Sequence, residues 1–227
     1  MSLTVFEDLE QGTPEWLAAR CGIVTASVVG QLITPKTVKP AANDTSRALM
    51  DTLIAERITG RVEPIQASRS MERGTLDEPY ARDHYDEHYA PTTQVGFMVR
   101  DDWGYRLGFS PDGLVGDDGL IEIKSRSQKI QLQTILNGEP PLGNIAQMQC
   151  GLLVSGREWC DYVSWSGGMP MWVHRVLPDK RWFDAILQTV EAFESTAADT
   201  IKRYEEATAG LPPTEWVDHF GDIELIL

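Results

Sequence analysis

Two short runs carry the residue types that phosphodiester chemistry needs: Ser110-Pro111-Asp112-Gly113, then Glu122-Ile123-Lys124. Glu122 and Lys124 are two apart in an apolar run, so on a strand both side chains leave the same face of a sheet. The Asp117-Asp118-Gly119 turn folds one run back on the other and brings Asp112 beside them. Two carboxylates and an ammonium on one surface suit phosphodiester hydrolysis. Carboxylates hold a hard divalent cation, and a lysine orients or deprotonates the attacking water. The plainer alternative is a surface ion pair on a polar strand face, because Glu-x-Lys is a common tripeptide. Two neighbours extend the set. Glu78, in Gly74-Thr75-Leu76-Asp77-Glu78, lies on the helix before the sheet and is either a third carboxylate or a solvated helix-face glutamate. Gln147, in Ala146-Gln147-Met148-Gln149, lies on the helix after it and either bonds a phosphate or water near the lysine or is an exposed helical glutamine.

These residues need a sheet and helices to position them. Thr13-Pro14 starts one helix, with Thr13 as N-cap and Pro14 at the first turn. Thr25-Ala26-Ser27 starts a second. If Ser27 lies in its first turn, the hydroxyl and nearby N–H groups form an anion site to which Arg20 adds a bidentate donor, while simple helix capping is the alternative. Residues 34–45 read as a loop, 46–59 as a helix stopped by Gly60, and 71–89 as a charged helix. Residues 94–99, 105–109 and 119–124 read as strands, 144–154 as a helix, and 159–165 and 171–177 as two more strands. A long helix spans 179–209, followed by an acidic tail. Its heptad-like apolar positions suggest packing, at a subunit interface among other places. This order gives an α/β (α+β-like) class, one mixed central sheet flanked by helices. We read a single domain over 1–227, with its core at about 11–178 and the helix and tail at about 179–227.

The ordered set Gly-x-x-x-Glu, Ser-Pro-Asp-Gly, Glu-Ile-Lys and Gln-x-Gln resembles the phage lambda exonuclease (YqaJ-type viral recombinase) family. That family belongs to the restriction-endonuclease-like PD-(D/E)xK nucleases. Trp16-Leu17-Ala18-Ala19-Arg20 and Ile23-Val24-Thr25-Ala26-Ser27 match it too, and the likeness runs from about Gln11 to about residue 175. The resemblance implies a restriction-endonuclease-like fold. It also implies a Mg²⁺-dependent 5′→3′ exonuclease on double-stranded DNA, leaving 3′ overhangs for recombination by strand annealing. Two ions are expected, with Mn²⁺ able to substitute. A ring-shaped homotrimer, a single-strand annealing partner and a place in the cytoplasm of a bacterial host follow from the same resemblance.

Residue by residue, the resemblance implies that Asp112 bridges two metals, that Glu122 and the Ile123 carbonyl bind one, and that Glu78 helps bind the other. Lys124 would act on the nucleophilic water with support from Gln147. Arg20, Ser27 and Ser110 would hold the 5′-phosphate. Where the family often has Cys-Pro after the lysine, this chain has Ser125-Arg126. Arg126 and Lys129 are the candidates for contact with the downstream strand. Trp16 either stacks on a displaced base or belongs to the core. The rival functions are a restriction-endonuclease-like endonuclease or nickase, and a non-catalytic DNA-end-binding module.

The chain's 227 residues carry a net charge of −14, which at face value opposes a nucleic-acid partner. Half of that excess, however, lies in residues 181–227, away from every candidate site, and residues 123–138 carry Lys124, Arg126 and Lys129 without an acid. No apolar run approaches the roughly 18 residues of a membrane span, and the acidic N-terminus lacks a signal peptide's basic region. Cys21, Cys150 and Cys160 form no CxxC pair and read as free thiols. His84, His88, His174 and His219 are scattered. His84 and His88 stand four apart and could hold a transition metal, but with no third ligand evident they read as exposed polar residues.

Overall fold

The computed structural model describes residues 2–63 and 68–217. His219 and the end of the acidic tail lie outside the described residues. The chain opens with strand β1 (Leu3–Phe6), helix α1 (Pro14–Arg20), β2 (Val24–Thr25), the four-residue α2 (Ala26–Val29), and a small hairpin of β3 (Ile33–Thr34) and β4 (Lys39–Pro40). Helices α3 (Asp44–Thr59) and α4 (Arg69–His88) follow, then strands β5 (Thr92–Thr93), β6 (Phe97–Arg100), β7 (Leu107–Phe109), β8 (Gly113–Val115) and β9 (Gly119–Ser125). Helices α5 (Gln128–Asn137) and α6 (Leu142–Ser155), strands β10 (Trp159–Trp165) and β11 (Trp172–Val176), and helix α7 (Lys180–Thr208) complete it.

The expected single mixed sheet is two mixed sheets flanked by helices. One has the order β1-β6-β7-β2, the other β11-β10-β9-β8-β5. The chain passes from the first to the second across Ser110-Pro111-Asp112, between β7 and β8. Pro111 has no N–H to donate to a ladder, so a continuous strand is interrupted there. In the second sheet β9 runs antiparallel to β8 and parallel to β10, with Glu122 opposite Tyr162 and Lys124 opposite Ser164. The parallel pairing needs a long crossover, which α5 and α6 supply. Helix α5 was not anticipated from sequence, and part of the expected 34–45 loop is the β3–β4 hairpin.

Alternation along β9 separates its two faces. Ile121 and Ile123 join Val115, Val163, Ala81 and Tyr85 in a small apolar cluster beneath α4. Leu120 joins the main core with Phe109, Met148, Leu152, Tyr162 and the buried face of α7. Helix α7 therefore packs inside the chain, through Trp182, Ile186, Val190 and Phe193. Its start is fixed by Asp179, which caps the Arg181 N–H at 2.8 Å, and a bidentate Arg57–Glu194 pair ties it to α3. Helix α6 sits very close to β7: a Cβ on Gly151 would come within 2.8 Å of the Phe109 ring, so this approach demands glycine. Among the described residues no helix is long and apolar enough to cross a membrane.

Candidate active site

The crossing segment and β9 place Asp112, Glu122 and Lys124 together. Asp112 Oδ2 accepts the Ile123 N–H at 2.6 Å, so this carboxylate is pinned to the middle of β9. Lys124 Nζ lies 2.5 Å from Glu122 Oε1, as expected for residues two apart on a strand. Glu122 is buried, and neither of its carboxylate oxygens accepts a well-formed hydrogen bond. Glu78 enters from α4 and is ion-paired to Arg82, whose Nε donates to the Asp112 carbonyl at 2.8 Å. Arg82 thus joins the third carboxylate to the crossing segment. The serine that departs from the family pattern has a local use: Ser125 Oγ donates to Asp77 at 2.6 Å and accepts from Arg73 at 2.9 Å, latching α4 to the end of β9.

Three carboxylates face two cations here, and their acidities show the strain. Burial, reinforced by the charge on Asp112 and opposed by Arg82, pushes Glu78 up to about 7. Burial likewise pushes Glu122 up to about 7, with Lys124 opposing and Asp112 adding to the shift. Asp112 is raised by burial, against the pull of Lys124, the Ile123 N–H and Arg82. For Lys124, burial acts downward, but Glu122 and Asp112 outweigh it and the ammonium is held above its ordinary value. A cluster short of positive charge, made of hard oxygens and including the buried Glu122 Oε2 with no donor, suits a hard divalent cation.

A second cluster lies at the other end of the crossing segment. The Arg20 guanidinium donates to Thr25 Oγ1 and Ser27 Oγ, each at 3.3 Å, and the two hydroxyls are 3.0 Å apart. Thr25 makes no side-chain cap on α2. The hydroxyls therefore serve the arginine rather than a helix end, and a four-residue helix contributes no dipole of note. The Arg20 guanidinium carbon lies over the Trp16 ring, 4.2 Å from its centroid, and Trp16 Nε1 donates to Ser110 Oγ at 3.0 Å. Trp16 is neither a core residue nor free. It is the spacer that sets Arg20 relative to Ser110, and its own helix is fixed by the predicted Thr13 cap, which accepts the Trp16 N–H at 3.3 Å. Burial lowers the Arg20 pKa, with Glu56 opposing.

A family model described as a YqaJ-like viral recombinase domain matches residues 15–158. The chain belongs to this family. Consistent with that membership, an alkaline exonuclease, LHK-Exo from Laribacter hongkongensis, superposes with a TM-score of 0.78 at 35% identity, over 88% of this chain and 100% of that one. The same match holds for LHK-Exo in complex with dAMP. A phage-related exonuclease from Haemophilus somnus 129PT shares the fold, with a TM-score of 0.62 at 12% identity over 80% of this chain and 96% of that one. No curated protein matches the chain.

Within this YqaJ-like chain the remaining predicted residues separate. Arg126 is held on its own strand end: its guanidinium donates to the Tyr162 hydroxyl at 2.6 Å and to the Asn144 side chain. Lys129 is exposed on α5, and Gln147 is half-buried on α6, with no side-chain hydrogen bond among the described residues. Its neighbour Gln149 is structural, donating to the Leu177 carbonyl and accepting the Asp179 N–H, both at 2.8 Å. Arg82, Thr25, Asn144 and Tyr162 were not anticipated as site residues. For Arg82 the signal was the Glu78-x-x-x-Arg82 spacing, which puts the pair on one helix face.

Proposed function

We propose that the chain is a divalent-metal-dependent exodeoxyribonuclease that grips the 5′-phosphate of a duplex end and hydrolyses the adjoining phosphodiester, working 5′→3′. Family membership and the 35%-identical alkaline exonuclease support DNA exonuclease activity. The observation that carries direction is the arginine–hydroxyl cluster of Arg20, Thr25, Ser27 and Ser110, linked through Trp16 to the segment that bears Asp112. An enzyme that starts at ends needs such an anion pocket beside its carboxylates, and one that cuts internally does not.

On this reading Asp112, Glu122, Glu78 and the Ile123 carbonyl hold Mg²⁺, two ions in number, and Mn²⁺ can replace it. A bound cation of this kind stabilises charge on the phosphorane-like transition state and lowers the pKa of the attacking water. Lys124, held as the ammonium, orients that water and donates to it, with Glu122 fixing its position. Gln147 supports the water or phosphate near Lys124. Arg20 supplies paired donors to the terminal phosphate, and the Ser27 and Ser110 hydroxyls complete its coordination. Arg126 and Lys129 are assigned to the downstream strand.

The whole of 1–227 is read as one nuclease unit. A ring-shaped homotrimer around DNA, a single-strand annealing partner and action in the cytoplasm belong to the same proposal. Exposed Leu132, Leu136 and Leu142 on and after α5 support a further protein contact. Linear duplexes labelled separately at each end test the reading. With Mg²⁺, 5′-phosphorylated ends should be shortened from the 5′ side, faster than 5′-hydroxyl ends, and closed circles should survive. Cutting of circles would replace it with the endonuclease reading, and binding without hydrolysis with the end-binding module.

A further inference from the structure

Far along α4 from Glu78, the last turns of the helix present a different donor set. His84, Glu87 and His88 each bring one ligand-type atom to within 4.8 Å of the others, and among the described residues no other trio of His, Cys, Asp or Glu does so. The third ligand missing from the sequence reading is thus Glu87. Residues at i, i+3 and i+4 share one helix face, and the His84 and His88 ring centroids are 4.2 Å apart.

Two further contacts prepare the imidazoles. His88 Nδ1 lies 3.0 Å from the His84 carbonyl oxygen, which can only accept, so Nδ1 carries the proton and the Nε2 lone pair is left for a ligand. A backbone carbonyl on the far nitrogen is the usual support of a metal-bound histidine. The half-buried His84 ring packs edge-on against Trp165, with centroids 5.7 Å apart, which limits its rotation. Charge favours a cation as well. Asp83 and Glu87 are exposed beside the pair, and the carbonyl-rich end of a helix attracts positive charge. Asp86 is turned toward the next strand, its Oδ1 accepting from both the N–H and the hydroxyl of Thr92.

We propose that His84, Glu87 and His88 form a surface site for a borderline transition-metal ion, of the Zn²⁺, Ni²⁺ or Cu²⁺ class, separate from the carboxylate cluster. Imidazole donors select these ions over Mg²⁺. In one class of metallopeptidases the two histidines of the same His-x-x-Glu-His order hold zinc while the glutamate serves as base; here the donors lie on an exposed helix end, and binding alone is inferred. The ion would clasp the final turn of the helix that carries Glu78 and Arg82.

Cu²⁺ is the probe that separates this site from the oxygen-rich one. It is titrated into untagged full-length protein in millimolar Mg²⁺, with binding followed by calorimetry and by electron paramagnetic resonance. The expected result is one ion with a Kd of about 10 µM or tighter and nitrogen superhyperfine structure from two imidazoles. His84→Ala and His88→Ala should each weaken binding by about tenfold or more and remove that structure, and Glu87→Gln should weaken it less. His88 is exposed, so its variant is expected to melt like the wild type and to keep Mg²⁺-dependent nuclease activity. A nitrogen signal that persists in the His84→Ala/His88→Ala double variant overturns the assignment, as does the absence of any such signal in the wild type.

Discussion

The two clusters at either end of Ser110-Pro111-Asp112 handle charge in opposite ways. Around Asp112 the half-buried groups surround a fully buried Glu122, the carboxylates outnumber the cations, and desolvation drives Glu78 and Glu122 up to about 7. Around Arg20 exposure runs from buried Thr25 to exposed Ser27, and one cation is surrounded by neutral hydroxyls and an aromatic face. The first is frustrated until positive charge arrives. The second already holds its shape through contacts that need no ligand. Substitutions in the first should therefore act on turnover and on stability as pH and metal change, and substitutions in the second on the choice of DNA end.

The sharpest break is Asp112→Asn. The amide oxygen can still accept from the Ile123 N–H, so the fold is kept while the charge is lost. Hydrolysis in Mg²⁺ should fall by about 10³-fold or more, with DNA binding in Ca²⁺ retained. Lys124→Ala should lower kcat by about 10²-fold and leave the Mg²⁺ concentration for half-maximal rate nearly unchanged. In the other cluster, Arg20→Ala should cost about 10- to 100-fold in kcat/KM on 5′-phosphorylated ends, with little change on 5′-hydroxyl ends. Arg20→Lys should not restore it, because a point charge lacks the stacked, forked geometry.

Acidity separates the clusters further. Between the ordinary glutamate value of 4.5 and about 7, the folded protein keeps a proton on Glu122 that the unfolded chain has released. Folded binds more protons than unfolded in that window, so stability falls as pH rises through it. Metal-free wild type should lose stability from pH 4.5 to 7 relative to Glu122→Gln, which brings the carboxylates and cations to equal number. The difference should reach about 1–3 kcal/mol at pH 8, read by denaturant melts in EDTA, and Mg²⁺ should restore the wild type. The smallest effect is expected for Trp16→Phe. It removes the bond to Ser110 and part of the Arg20 stacking, for about 1 kcal/mol, seen as a several-fold weaker preference for 5′-phosphate.

Local chemistry made part of this legible in the sequence. Strand alternation put Glu122 and Lys124 on one face, and the Thr13 cap and the Gly60 stop marked helix ends that the structure keeps. What stayed hidden depended on distance or on weak patterning. Trp16 meets Ser110 across 94 positions of sequence, and nothing local announces such a contact. Helix α5 mixes apolar and polar residues without a clear stripe and was passed over. The split of the sheet had a visible cause in Pro111, but only the structure shows that the strands on its two sides join different partners. Glu87 stands next to His88 in the sequence, and adjacency along the chain does not by itself show that its carboxylate meets both rings.

Ser110 and Asp112 are separated by a single buried proline, so their Cα atoms can be no more than about 7 Å apart. On the proposed reading the hydroxyl grips the terminus and the carboxylate serves the bond to be broken. The crossing segment is then a ruler of fixed length, comparable with one nucleotide of backbone, and its calibration is set by the chain itself. Lengthening it by one residue after Ser110 would change the increment in which a strand is shortened, a quantity read directly from the size of the first product released.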